Sequence, residues 1–116
     1  MKLYGYKKCD TCRKAMRWLD AREIDYTFID ITEHPPSAAA LRQALRCGYA
    51  IKQLFNTAGG QYRELGMKDK VASLSENEVL ALLSSNGYLC KRPVAIAGDN
   101  VTVGFKEAVY AETWGG

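Results

Sequence analysis

A chain of 116 residues, 47% hydrophobic and 25% charged, has the composition of one globular domain large enough to bury a core without disulfides. No apolar run approaches the roughly 20 residues of a bilayer span, and no secretory h-region precedes the first predicted strand, so a cytoplasmic protein without a membrane partner is expected. A net charge of +3 suits an acidic partner or an anionic substrate and falls short of a nucleic-acid-binding signature, so no direct nucleic-acid contact is expected.

Leu3 to Tyr6 reads as a strand, and the helix that follows is marked by Cys12, Ala15, Met16 and Leu19 at i, i+3, i+4 and i+7. That helix should end near Ala21-Arg22. Tyr26 to Ile31, rich in β-branched and aromatic residues, predicts a second strand, parallel to the first across the helical crossover. His34-Pro35-Pro36 breaks the chain, Ser37 is placed to cap a helix through about Arg46, and Gly48 suits the left-handed position after it. His34, the sole histidine, is expected on a loop at the far end of the second strand, opposite the cysteines.

From Ile51 to Val71, short helical turns are expected around the loop Thr57-Ala58-Gly59-Gly60. Ser75-Glu76-Asn77-Glu78 is a capping box, with Leu74 and Val79 spaced for a hydrophobic staple, and the helix that follows should end at Gly87. Val94 to Ala97 and Val101 to Val103 flank the turn Gly98-Asp99-Asn100 as a hairpin, and Phe105 to Trp114 closes with a short helix. A βαβ unit, a helical middle, a hairpin and a helix make the topology of a thioredoxin-like domain. Its first βα junction is where open α/β sheets place their sites.

Cys9 and Cys12 fall at that junction. Cys-x-x-Cys is compatible with half a zinc site, a pair of buried thiols or a redox couple; the strand-then-helix setting favours the couple. Helix amides, the macrodipole and Lys7, Lys8, Arg13 and Lys14 all favour a thiolate, typically bringing a free-thiol value near ~8.5 to about 7 or lower. Asp10 opposes that shift. Cys47 and Cys90 form no second Cys-x-x-Cys, so no metal site is expected; Cys47 reads as a partly buried structural thiol and Cys90 as a buried strand-edge thiol.

Several motifs together resemble the arsenate reductase-like ArsC/Spx/YffB family of the thioredoxin superfamily. They are Cys9-Asp-Thr-Cys12-Arg13-Lys14-Ala15, Phe55-Asn56-Thr57-Ala58-Gly59, Tyr62-Arg63-Glu64-Leu65-Gly66, Lys91-Arg92-Pro93-Val94 and Val103-Gly104-Phe105, in family order over nearly the whole chain. The resemblance implies a single α/β domain over residues 1–116 with a thioredoxin-like fold. Its four-stranded mixed sheet would be flanked by helices, with an α-helical insertion between the βαβ unit and the C-terminal hairpin. It implies Cys9 as nucleophile and Cys12 as resolving thiol of an internal dithiol/disulfide cycle, and Arg92 as the catalytic cation before a cis Pro93. Thr11, Arg13, Asn56, Lys91 and Pro93 would contact the substrate. No tightly bound cofactor is implied; glutathione, glutaredoxin and thioredoxin are the candidate reductants, and a small thiol, disulfide or oxyanion the substrate.

The family contains both enzymes and regulators. One expectation is a cytosolic thiol–disulfide oxidoreductase; the alternative is an Spx-like redox-sensing transcription regulator that binds RNA polymerase. The loop Asn56 to Gly60, Tyr62-Arg63 and the short C-terminus tilt the reading toward the enzyme. Glutaredoxin-coupled arsenate reductases of the family surround the oxyanion with three arginines, of which only Arg92 is matched; Asn56 and Val103 stand at the other two positions. Two missing guanidinium partners remove charge-assisted bonds of ~1.5–3 kcal/mol each. Arsenate turnover is therefore expected to be weak or absent. The double variant Asn56→Arg, Val103→Arg should bind arsenate more tightly in steady-state kinetics; turnover by the unaltered chain equal to that of a three-arginine reductase would contradict this.

Overall fold

In a computed structural model that describes residues 1–115, four strands form one mixed sheet in the order β2-β1-β3-β4. β1 (Lys2–Gly5) runs into α1 (Asp10–Ala21), and β2 (Thr27–Asp30) lies parallel to β1 with Leu3 opposite Phe28 and Gly5 opposite Asp30. β3 (Val94–Ala97) is antiparallel to β1, and β4 (Asn100–Val103) is antiparallel to β3 at the sheet edge. Between β2 and β3 come α2 (Ala38–Arg46), α3 (Gly60–Glu64), α4 (Met67–Lys70) and α5 (Glu76–Ser85), with three 3-10 turns; α6 (Glu107–Trp114) follows β4. This is the expected thioredoxin-like α/β architecture with its helical insertion. No helix among the described residues is long and apolar enough to cross a membrane.

Strand alternation divides the core between the two faces of the sheet. Leu3 and Ala95 join Ala15, Trp18 and Leu19 of α1 and Tyr110 of α6 on one face. Val94 and Val101 join Leu41, Leu54, Phe55, Tyr62, Val79, Leu80 and Leu83 on the other. In α1 the fourth buried side chain besides Cys12, Ala15 and Leu19 is Trp18, while Met16 is only half-buried. Trp18 meets the ring of Tyr110 edge-on at 5.5 Å, and the guanidinium of Arg22 lies 3.9 Å from its ring centre.

The expected caps form. Ser37 Oγ accepts from Ala40 N–H at 3.1 Å, and Gly48 takes φ 108° after α2. At α5, Glu78 N–H donates to Ser75 Oγ at 3.2 Å and Ser75 N–H to Glu78 Oε1 at 2.9 Å, closing the capping box. Leu74 and Val79 share the cluster beneath it. Gly87 does not cap the helix, which ends at Asn86; it begins a 3-10 turn pressed against β2's exit. A Cβ on Gly87 would stand 1.6 Å from the Ile31 carbonyl oxygen, so the glycine answers a close backbone approach.

Two expectations are corrected here. Parallel strands end on the same edge of the sheet, so His34 follows β2 on the thiol edge and not the opposite one; it is exposed, its N–H donating to the Asp30 carbonyl at 2.9 Å. Cys47 is exposed and not partly buried, because α2 ends beside the hairpin turn, where the thiol donates to the Asp99 carbonyl at 3.5 Å.

The tight fit at Gly87 and the box at Ser75 rank two substitutions. Gly87→Ala should cost about 3 kcal/mol, the upper range for overpacking, and Ser75→Ala about 1 kcal/mol, read from urea midpoints at unchanged slope. Equal costs would contradict the close approach at Gly87.

Candidate functional site

The two thiols are placed by the last residue of β1 and the first turn of α1. Past Gly5 the chain turns at Tyr6, whose carbonyl accepts from Cys9 N–H at 3.0 Å while its own N–H donates to Cys12 Sγ at 3.4 Å. Gly5 makes room for this: a Cβ there would lie 3.2 Å from the Cys12 sulfur and 3.3 Å from the Phe28 ring. Cys9 is the N-cap residue of α1, with extended backbone (φ −91°, ψ 120°), and its carbonyl accepts from Arg13 N–H at 3.0 Å. Both thiols are free, Cys9 half-buried and Cys12 fully buried.

Their acidities diverge. Burial alone would push Cys9 up, but the Cys12 amide, the Cys12 thiol, the Arg92 guanidinium and the Thr11 amide together hold it below its ordinary value. Cys12 is pushed up to about 12 by burial, against the Tyr6 amide, with the hydrogen bond and charge of Cys9 adding to the rise and Arg92 opposing it. The outer sulfur is the better thiolate, and the inner one is held as the neutral thiol.

Arg92 precedes Pro93 through a cis peptide bond, as expected, and its guanidinium stands 5.2 Å from the centre of the Tyr6 ring. Pro93 is buried and its carbonyl accepts from Gly104 N–H at 2.8 Å. The segment is held by the insertion: Lys91 N–H donates to the Leu54 carbonyl at 2.7 Å, Asn56 N–H to the Leu89 carbonyl at 2.8 Å, and Phe55 and Cys90 form an isolated antiparallel bridge. Cys90 is sealed below, its thiol donating to the Leu83 carbonyl at 3.3 Å and raised to about 12 by burial, with Arg92 pulling the other way.

Of the residues expected to contact substrate, the structure gathers Thr11, through its amide, with Cys9, Cys12 and Arg92. Arg13 is exposed and paired with Asp10 at 2.8 Å, its guanidinium also donating to the Lys8 carbonyl at 3.3 Å. Lys91 is exposed, with its side chain over Gly104. Asn56 folds against its own loop: its carbonyl accepts from Gly59 N–H at 3.1 Å, and a Cβ on Gly59 would lie 2.7 Å from its side-chain nitrogen. Val103 pairs with Val94. Tyr6 is the member that sequence reading passed over; its only signal is an aromatic residue three before Cys9 at a strand end. Among the described residues no group of three His, Cys, Asp or Glu side chains is arranged to hold a metal ion.

A thioredoxin-like sheet with Cys-x-x-Cys at its first βα junction and Arg-cis-Pro facing it defines a thioredoxin-superfamily protein with a dithiol site. The ArsC family model matches residues 4–113. YusI, an uncharacterized protein of Bacillus subtilis, is 46% identical over 96% of this chain and 95% of its own. The global transcriptional regulator Spx 2 of Bacillus anthracis is 26% identical over 90% of this chain and 79% of its own. The crystal structure of a possible arsenate reductase from Streptococcus mutans UA159 has a TM-score of 0.84 at 42% identity, covering 90% of each chain. The protein belongs to the ArsC family.

The divergence of the two thiols makes a direct prediction. Cys9 should be alkylated first by iodoacetamide, at a rate rising with pH through a midpoint below that of a free thiol, while Cys12 stays unlabelled near neutrality. Arg92→Ala removes a cation that favours the thiolate, so the Cys9 midpoint should move up. Peptide mass mapping checks both; labelling of Cys12 first would reverse the assignment.

Proposed function

We propose that this ArsC-family protein is a cytoplasmic thiol–disulfide oxidoreductase, with Cys9 as nucleophile, Cys12 as resolving thiol and Arg92 as the cation of the site. The observation that supports this most is the burial of Cys12 directly behind a half-exposed Cys9 whose thiolate is favoured.

The chemistry runs in two exchanges. The Cys9 thiolate attacks one sulfur of a substrate disulfide, forming a mixed disulfide and releasing the other sulfur as a thiolate. Conversion of Cys9 to a mixed disulfide abolishes its negative charge, and that charge is one of the causes holding Cys12 up. Cys12 then gives its proton to the departed thiolate or to water and attacks Cys9. The Cys9–Cys12 disulfide forms as the second substrate thiol leaves. The substrate gains two electrons from the thiolate–thiol pair and two protons, one from Cys12 and one from the solvent that took up the Cys9 proton. A reducing thiol, glutathione, glutaredoxin or thioredoxin, returns them in the reverse exchange. Loss of the Cys9 charge removes a lesser cause of the raised Cys12 value, while burial, the largest cause, remains, so the second exchange is eased once Cys9 has reacted. Arsenate fits this site less well than a disulfide, because Arg92 would meet the oxyanion without arginine at Asn56 or Val103.

A second reading, a redox-sensing regulator that binds RNA polymerase, is favoured by the matches to regulatory proteins. Recovery of RNA polymerase with the purified protein would support it, and an assay against mixed disulfides would separate it from the enzyme.

Cys9→Ser should abolish thiol transfer. Cys12→Ser should retain the first exchange and accumulate mixed disulfides on Cys9, seen as adducts by mass spectrometry after turnover with each reductant in turn. Full multiple turnover by Cys12→Ser would remove the resolving role.

A further inference from the structure

A groove that begins beside the thiol site and extends well beyond it lies along the free edge of β4. It has a volume of about 1190 Å³ and runs from Thr11, two residues past Cys9, across β4 to Cys47–Ala50 at the end of α2. Small-molecule pockets hold roughly 300–1,000 Å³. This one is larger and open, and its lining spans β4 from Thr11 to the end of α2, which suits a length of chain better than a metabolite.

Hairpin geometry sets which backbone groups face it. The two-residue turn Gly98–Asp99 makes Ala97–Asn100 a bonded pair, so bonded pairs recur at Ala95–Thr102 and Pro93–Gly104. The last is present, with Gly104 N–H on the Pro93 carbonyl at 2.8 Å. The N–H and carbonyl of Val101 and Val103 therefore point away from β3. Val101 is only 3% exposed and closed off, whereas Val103, at the thiol end of the strand, is partly open. Among the described residues no loop, turn or side-chain hydrogen bond goes to the N–H or carbonyl of Val103. One rung of sheet edge is thus open to an added strand.

The charges around the groove name the occupant. Among the described residues Lys52, Lys91 and Lys106 line it against one carboxylate, Glu112, and all four are exposed. A second copy of this chain would bring two such lysine clusters together, which disfavours edge-to-edge self-pairing. The geometry points to an extended, acidic segment of a partner protein, hydrogen-bonded to Val103 and held by Lys52, Lys91 and Lys106, as the ligand of this groove. Such a segment passes Thr11 at its thiol end, so it would deliver a disulfide-bearing partner to Cys9. The docking itself does not depend on the thiol reading, since no disulfide takes part in its measurement.

The test uses the full-length reduced protein and a fluorescein-labelled octapeptide of alternating Glu and Val, with a Lys-Val octapeptide as counterpart. Anisotropy should show the acidic peptide binding at least about tenfold more tightly than the basic one, and more weakly as salt rises. Its titration should shift the backbone amide signals of Val103 and Gly104. Lys52→Glu combined with Lys106→Glu should weaken the acidic peptide about tenfold. Val103→Pro removes the outward N–H, at an edge position where proline is tolerated, and should weaken it too. If that variant unfolds on a thermal melt, the amide shifts and the charge reversal decide the matter. Equal binding of both peptides, amide shifts confined away from β4, or tighter binding of an oligothymidylate of matching length would overturn the proposal. So would Val103 shifts that grow with protein concentration in the absence of peptide.

Discussion

The Tyr6 amide donates to the Cys12 sulfur at 3.4 Å, beside Gly5, where a Cβ would crowd that sulfur at 3.2 Å. That contact holds the first turn of α1 against the end of β1, and the apolar face of the helix keeps it there. Trp18 and Leu19 pack on the sheet face that carries Leu3 and Ala95; side chains of this size contribute roughly 1.5–3 kcal/mol each when fully buried. With Cys12 fixed inside, the Cys-x-x-Cys spacing leaves Cys9 at the N-cap, where the amides of Thr11 and Cys12 converge on its sulfur. The acidity difference between the thiols follows from this geometry. One sulfur meets amides and solvent; the other is desolvated and faces the first.

Arg92 enters from the opposite side and depends on the insertion for its position. Leu54 and Asn56 bond to Lys91 and Leu89, so the backbone on both sides of Cys90 is clamped to the helical middle. Pro93 then passes the chain into β3 and on to Gly104. The insertion therefore acts as a brace that sets the distance between a cation and a dithiol, and the apolar cluster of Phe55, Tyr62, Val79, Leu80 and Leu89 is what makes the brace stiff. The guanidinium lies near the Tyr6 ring and the two sulfurs, and among the described residues no carboxylate pairs with it.

Local signals were legible in the chain because they act over short separations. The capping box at Ser75-Glu78, the Ser37 cap and the β-branched runs of β2 and β3 each carry their structure within a few residues. The family motifs extended this to the thioredoxin-like order of the strands and to the cis bond before Pro93. What stayed out of reach depends on distant partners. The need for glycine at Gly87 comes from the Ile31 carbonyl, and the role of Tyr6 comes from a thiol six residues on and a guanidinium in another part of the chain. The place of His34 follows from parallel strands, whose ends share an edge, and the exposure of Cys47 from α2 stopping beside the hairpin turn, which nothing local reveals. Arg13 is a different case, since its partner Asp10 lies only three residues back.

The central claim is that Cys9 and Cys12 form one two-electron couple. Equilibration of the protein in a graded series of glutathione redox buffers, followed by acid quenching and mass spectrometry, tests it most directly. The account predicts a single transition that removes two hydrogens from the segment carrying both cysteines, with the midpoint following a two-electron slope of about 30 mV per tenfold change. Accumulation of glutathione on Cys9 while Cys12 remains a thiol, or a disulfide from Cys9 to Cys47 or Cys90, would contradict it.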